Sequence, residues 1–142
     1  NEISPRDFLF RVREFDLMEL EYFIRESDWE KFFEMWKQEM WKWVERVGID
    51  KNMVHECECL PENRAHYSKK TIDLEFDYPF GRKELYGLAY RTNYDLTKHS
   101  AESGVDLSYF EEETKERFIA RCWRFSRALI PKMNLVGSQE YI

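Results

Sequence analysis

From position 11 to position 21 the sequence reads Arg-Val-Arg-Glu-Phe-Asp-Leu-Met-Glu-Leu-Glu, and its odd positions carry most of the chemistry. Side chains alternate between the two faces of an extended strand. Arg11, Arg13, Phe15, Leu17 and Glu19 would then share one face: two cations, a ring, an aliphatic residue and a carboxylate. Guanidinium groups hold phosphates and carboxylates, rings stack on rings, and a carboxylate holds a cation. A core face would be apolar, and a merely solvated one seldom sets Phe between Arg and Glu. The competing reading is a ladder of solvated charges, in which Arg11, Arg13, Glu19 and Glu21 pair with neighbouring strands.

A second group with chemical potential is His55, Cys57 and Cys59, three possible metal ligands at alternate positions of one strand. Alternate strand positions are not a usual spacing for tetrahedral zinc, and no fourth ligand stands near in sequence. Ordinary thiols are the expectation, and no residue is assigned to a metal. No Cys-His or Ser-His-Asp arrangement is recognisable. The run Glu111-Glu112-Glu113 reads as a solvated face.

The elements that must position these residues follow from periodicity. Residues 1–4 read as a strand, residues 5–7 as a loop, and residues 10–23 as a long second strand. Ser27 with Glu30 three residues on has the form of a capping box. The helix that follows carries Trp29, Phe32, Phe33, Trp36, Met40, Trp43, Val44 and Val47 on one face, read as core, and Gly48 ends it. Met35 and Trp41 fall off that stripe, so they need a second neighbour. Residues 53–59 form a strand and residues 61–66 a short helix or turn. In residues 71–78 Ile72, Leu74, Phe76 and Tyr78 face one way and Thr71, Asp73, Glu75 and Asp77 the other. A turn at residues 79–82 returns the chain as a strand over residues 83–91. Two hairpins with an intervening helix predict an α+β fold, an antiparallel sheet with flanking helices on one face.

Composition bounds the rest. The chain has 142 residues, 43% of them hydrophobic, with 11 Phe, 8 Tyr and 5 Trp, enough for a packed core in one domain. No repeat, linker or membrane-length apolar run interrupts it. Three cysteines without a disulfide-framework spacing point to a reducing, cytoplasmic setting. The net charge of -6, with no basic stripe, argues against an autonomous nucleic-acid binder.

The run Asn1-Glu-Ile-Ser-Pro-Arg, followed by the run from Arg11 to Glu21, resembles the second signature motif of class II aminoacyl-tRNA synthetases. Within that class it is similar to the glycyl-tRNA synthetases of the dimeric type. Two later blocks carry the same resemblance. The first is Ala65-His66-Tyr67-Ser68-Lys69 with Thr71-Ile72-Asp73. The second is Phe80-Gly81, Glu84-Leu85, Gly87-Leu88-Ala89, Arg91-Thr92 and Tyr94-Asp95-Leu96 with His99. Family-like sequence covers residues 1–119, and residues 120–142 diverge.

The resemblance implies a partial class II catalytic core that joins glycine to ATP and passes the glycyl group to tRNA. It implies ATP as substrate, with Mg²⁺ bridging phosphate oxygens. Glu2 would accept hydrogen bonds near the adenine, Arg11 would contact phosphate as the catalytic cation, and Phe15 would stack on adenine. Glu19 would hold the ammonium of glycine and Arg91 its carboxylate. Phe15 and Glu19 lie about 13 Å apart along a strand, which suits an extended adenylate. His66 and His99 fall inside these blocks without an assigned role.

Several of the family's parts are not among these residues. They are the arginine before Asn1, the first motif with its dimer interface, the third motif with its arginine, and the anticodon-binding domain. Where the family has Glu-Pro-Ser, with Glu and Ser on the glycine ammonium, this sequence has Arg124, Phe125 and Ser126. The diverged tail reads either as ordinary divergence or as an out-of-frame extension. Two functions follow. One is a catalytic-core segment of a glycine–tRNA ligase, its partners glycine, ATP and tRNA(Gly). The other is a truncated, inactive relative that serves, if at all, as an interaction module. An exposed sheet edge leads to the expectation of a homo-oligomer in either case.

Overall fold

The computed structural model describes residues 4–6, 11–15 and 17–128, with side chains to Phe125. Five strands form one sheet: β1 (Leu17–Ile24), β2 (Val54–Glu58), β3 (Lys70–Tyr78), β4 (Gly81–Tyr90) and β7 (Arg121–Ala128). Their order is β1-β7-β4-β3-β2, and every pairing is antiparallel. A long helix, α1 (Trp29–Arg46), covers one face. A shorter helix, α2 (Tyr94–Ser103), follows β4, and β5 (Tyr109–Glu111) with β6 (Glu116–Phe118) make a separate hairpin. The architecture is α+β, as the periodicity predicts.

The apolar alternation of β3 becomes one wall of the core. Ile72, Leu74, Phe76 and Tyr78 are 0–4% exposed, while their odd-numbered neighbours are only half-buried. β4 does not keep strict alternation. The β3–β4 register shifts between Leu74 and Glu75, and Leu85 and Tyr86 are both fully buried. A bulge adds one residue to a strand and turns two neighbours toward the same side.

Helix α1 buries Phe33, Met40 and Val44, with Trp29, Phe32, Trp36 and Val47 packed around them. Trp29 stacks on Tyr90 at 4.9 Å between ring centres, Tyr90 on Trp123 at 4.8 Å, and Phe33 meets Trp123 at 4.5 Å. Each large side chain buried this way contributes roughly 1.5–3 kcal/mol. Trp41 finds its second neighbour in β2, donating from Nε1 to Glu56 Oε2 at 3.3 Å. Trp43 departs from the expected core face: at 36% exposure it flanks the stripe, lining a shallow groove with Met18 and Leu20.

The ends of α1 are informative. The expected Ser27 capping box does not form, because a 3₁₀ turn (Glu26–Asp28) leads into the helix. The N-cap is Asp28, without a side-chain capping bond. Its own N–H donates to Arg25 O at 3.2 Å and that of Trp29 to Glu26 O, so the tight turn satisfies the first donors instead. At the other end Gly48, at φ 76°, donates to Glu45 O at 3.0 Å, and Ile49 donates to Val44 O at 3.1 Å. This paired arrangement is the Schellman closure that glycine favours.

Two corrections concern the strands. The long strand expected over residues 10–23 starts at Leu17. Arg11 instead turns back on Arg6, whose N–H donates to Arg11 O at 3.0 Å, and Arg13 sits in a bend. The diverged segment also proves central: β7 lies between β1 and β4, paired along all eight residues of β1.

Candidate functional site

The sheet has a covered face against α1 and an opposite face that carries its charges. The strand register lays these charges out in rows. One row crosses Glu19, Ser126, Gly87, Asp73 and Cys57, and the next crosses Glu21, Arg124, Ala89 and Thr71. Gly87 and Ala89 thus put little or no side chain at the centre of this face. A Cβ at Gly87 would lie 3.2 Å from Asp73 Oδ1, so the absence of a side chain there admits the carboxylate.

Beside that low centre stands a network of ion pairs. Arg124 Nε donates to Glu21 Oε1 at 3.0 Å, and its Nη2 reaches the same oxygen. Arg124 Nη1 lies 3.7 Å from Glu19 Oε1. One edge further, Arg91 follows β4, its N–H bonded to Cys122 O at 2.9 Å. Its guanidinium grips Asp95 through two bonds, Nε to Oδ2 at 2.6 Å and Nη2 to Oδ1 at 2.7 Å. It also lies 3.9 Å above the Tyr67 ring. Hydrogen bonding from Arg91 holds the Asp95 carboxyl below its ordinary range, and the charges of Arg124 and His99 act in the same direction. Between these pairs Cys122 is 2% exposed, and burial pushes its thiol up to about 11.

The residues singled out from sequence divide accordingly. Glu19 lies on β1 and Arg91 just past β4, and Arg124 links their surroundings. Phe15 precedes β1 and is half-buried. Arg11, half-buried, spends its Nε on Ser4 O at 3.0 Å. Glu2 lies outside the described residues. His55, Cys57 and Cys59 are drawn to different partners. His55 Nε2 meets Asp77 Oδ2 at 2.6 Å, Cys59 donates to Asp73 Oδ2 at 3.3 Å, and Cys57 is exposed. Burial, with the Asp73 hydrogen bond second, raises the Cys59 thiol to about 11. Among the described residues no three His, Cys, Asp or Glu side chains converge to hold a metal ion.

Sequence reasoning assigned no role to Asp95 or Asp73. A signal for Asp95 was present: it stands four residues after Arg91 at the start of a helix, where a carboxylate is favoured. Asp73 gave none, because its closeness to Gly87 depends on strand register. A separate open groove of about 680 Å³ is lined by Phe23, Arg25, Leu96, Tyr109 and Phe118. There Arg25 bonds Glu111 and Glu116 and caps the Phe118 ring at 4.2 Å, pinning the β5–β6 hairpin.

Comparison with known proteins gives a consistent picture. The chain is 45% identical over 119 residues to a glycine–tRNA ligase of Lachnospira eligens, a match covering 84% of this chain and 26% of that protein. It is 43% identical over 122 residues to that of Geobacillus thermodenitrificans, covering 86% and 26%. With the Ureaplasma parvum serovar 3 protein of the same name the figures are 47% over 120 residues, 84% and 25%. The chain spans about a quarter of the length of these curated relatives. No family model matches it. Among the described residues no helix is long and apolar enough to cross a membrane.

Proposed function

Since this chain is a homologue of one quarter of a glycine–tRNA ligase, we propose that it forms part of a class II catalytic core. In the whole enzyme that core would activate glycine with ATP and charge tRNA(Gly). The observation that carries the reading is the open sheet face. Glu19 stands in the row of Gly87, and Arg91 follows β4 two residues past Ala89, with the Glu21–Arg124 row between them. A small zwitterion needs opposite charges at its two ends and little bulk between them.

In this reading Glu19 takes the ammonium and Arg91 the carboxylate of glycine. Glu2, Arg11 and Phe15 serve ATP, as the motif resemblance implies. Arg11 turns from Ser4 O to phosphate, and Asp95 yields part of Arg91. The chemistry is positioning and charge stabilisation, without a covalent nucleophile. Mg²⁺ belongs with the polyphosphate it would bridge, and no described cluster would hold it alone. A cytoplasmic setting and self-association through the β1 edge complete the proposal.

The test is Glu19→Gln in a full-length glycine–tRNA ligase that carries this segment. Loss of one partner of a charged pair should raise the KM for glycine by at least about a hundredfold and leave that for ATP within a few-fold. An equal loss for both substrates would overturn the assignment.

One observation favours a second reading, a synthetase-derived segment that catalyses nothing by itself. Glu19 and Arg91 both already face internal partners, Arg124 and Asp95. Pyrophosphate exchange with glycine separates the two: a full-length glycine–tRNA ligase carrying this segment shows it in the first reading and not in the second, and neither reading expects it of the 142-residue chain alone.

A further inference from the structure

Arg91 has more around it than a counter-ion. Asp95 takes the Nε and Nη2 donors of its guanidinium at 2.6 and 2.7 Å. The centre of the Tyr67 ring lies 3.9 Å from the guanidinium carbon. Tyr67 is itself set among rings, 5.1 Å from His66 and 6.0 Å from Tyr94, and His66 Nε2 meets the Tyr94 hydroxyl at 3.1 Å. The backbone beneath is pinned as well. Cys122 O accepts from the Arg91 N–H at 2.9 Å, and the Cys122 N–H donates to Thr92 O at 2.8 Å. Thr92 sits at φ 58°, a left-handed conformation that a β-branched residue seldom adopts. Such strain persists only where the surroundings impose it, and it gathers at sites of function.

We infer that Asp95 and Tyr67 are positioning residues: Asp95 fixes the rotation of the Arg91 guanidinium in its own plane, Tyr67 fixes the tilt of that plane, and together they leave its Nη1–Nη2 edge to receive a substrate carboxylate. This rests on the reading of Arg91 as the partner of the glycine carboxylate. A free arginine side chain has several torsions to settle when it meets a ligand, and that ordering costs affinity. Held along its Nε–Nη2 edge by Asp95, the guanidinium keeps a second edge from which two parallel bonds can reach another carboxylate. The fork is then set before the ligand arrives. Asp95 also lowers the net charge of the pair, so a carboxylate that merely competed for Arg91 would weaken its grip on glycine. Positioning and competition therefore predict opposite signs when Asp95 is neutralised.

The experiment is pyrophosphate exchange by a full-length glycine–tRNA ligase that carries this segment, with glycine and ATP varied separately. Asp95→Asn should raise the KM for glycine at least about tenfold and leave that for ATP within about twofold. Tyr67→Leu should raise the glycine KM by about three- to tenfold, and Tyr67→Phe, which keeps the ring, should leave it within about twofold. The Tyr67 pair keeps the inference falsifiable if Asp95→Asn fails to fold. An unchanged or lowered glycine KM in Asp95→Asn would overturn the inference, because Asp95 would then be a bystander or a competitor. An equal rise for both substrates would also overturn it, as a merely structural role, and so would Tyr67→Phe as damaging as Tyr67→Leu. Arg91→Ala separates the inference from the reading beneath it. If that variant leaves the glycine KM unchanged, Arg91 is no carboxylate partner and both fall. If it raises the KM while the Asp95 and Tyr67 variants do not, only the positioning falls.

Discussion

The two faces of the five-stranded sheet come from the same residues taken alternately, yet they are held by different physics. On the helix side Leu74, Phe76, Tyr86, Leu88, Tyr90 and Trp123 are at most 1% exposed and form one continuous core. On the other side the contacts are discrete: Arg124 with Glu19 and Glu21, Arg91 with Asp95, Cys59 with Asp73, and Arg82 and His55 with Asp77. Buried area adds up roughly in proportion to its extent, whereas an exposed ion pair is worth little. The covered face therefore sets whether the chain folds. The open face can be rewritten at small cost.

The strongest way to break this comparison is Trp123→Ala. Trp123 is 1% exposed and packs against Trp29, Phe33 and Tyr90. Its removal should cost about 3–5 kcal/mol in chemical denaturation. A cost near zero would mean that β7 is not integral to the core and that the sheet order is wrong.

Asp95→Asn comes next, on the open face. It leaves Arg91, only 12% exposed, without its two-bond partner. A charged hydrogen bond of this kind, discounted for solvent, is worth about 1–2 kcal/mol. The sign of its pH dependence follows from Arg91, which lowers the Asp95 pKa on folding. The stabilisation is therefore fully present above the ordinary carboxylate value and is lost as pH falls through the lower folded value. Unfolding curves of the two proteins should differ at neutral pH and converge in strong acid. A gap that widened toward low pH would contradict the pairing.

How much of this was legible in the sequence follows from the same division. The β3 alternation, the turn at Gly81 and the α1 stripe are local patterns of period two or 3.6, and the structure has them close to the positions expected. What failed depended on non-local pairing or on how a segment is entered. Ser27 looked like a cap, but a 3₁₀ turn moved the helix start past it. Residues 11–15 looked like strand because they alternate, yet the backbone of Arg11 is claimed by Arg6 and its side chain by Ser4. Trp43 and Trp41 exchanged roles because which flank of a helix meets the sheet depends on the crossing geometry. On the site, Glu19 and Arg91 could be singled out from the motif. Arg124 was singled out only through the resemblance and Asp95 carried a signal that was not used, while the pairing that seats Arg124 beside residues 19 and 21 joins opposite ends of the chain and is not visible in local pattern.

A substitution that touches neither face sets the scale. Gly48→Ala meets nothing within 4 Å, so any cost comes from its φ of 76° alone. Forcing a Cβ into the left-handed region at this helix end should cost about 1–2 kcal/mol, measured again by denaturation. It should leave ligand titrations unchanged. A neutral or stabilising result would mean that the α1 end relaxes to another closure.

The smallest effect belongs to Arg82→Ala, at the solvent end of the open face. Arg82 Nε bonds Asp77 Oδ1 at 2.8 Å, and His55 takes the other carboxylate oxygen at 2.6 Å. Both members of the Arg82–Asp77 pair are well exposed, at 48% and 40%. Arg82, then His55, holds the Asp77 carboxyl below its ordinary range. Its contribution is thus present above the ordinary carboxylate value and is lost as pH falls through the lowered one. Removing Arg82 leaves His55 in place, so the unfolding midpoint should shift less than for Gly48→Ala. At about 1 M salt, where the screening length falls to about 3 Å, the remaining difference should disappear. A loss comparable to that of Trp123→Ala, or one that persists in high salt, would show that the open face is as cooperative as the covered one.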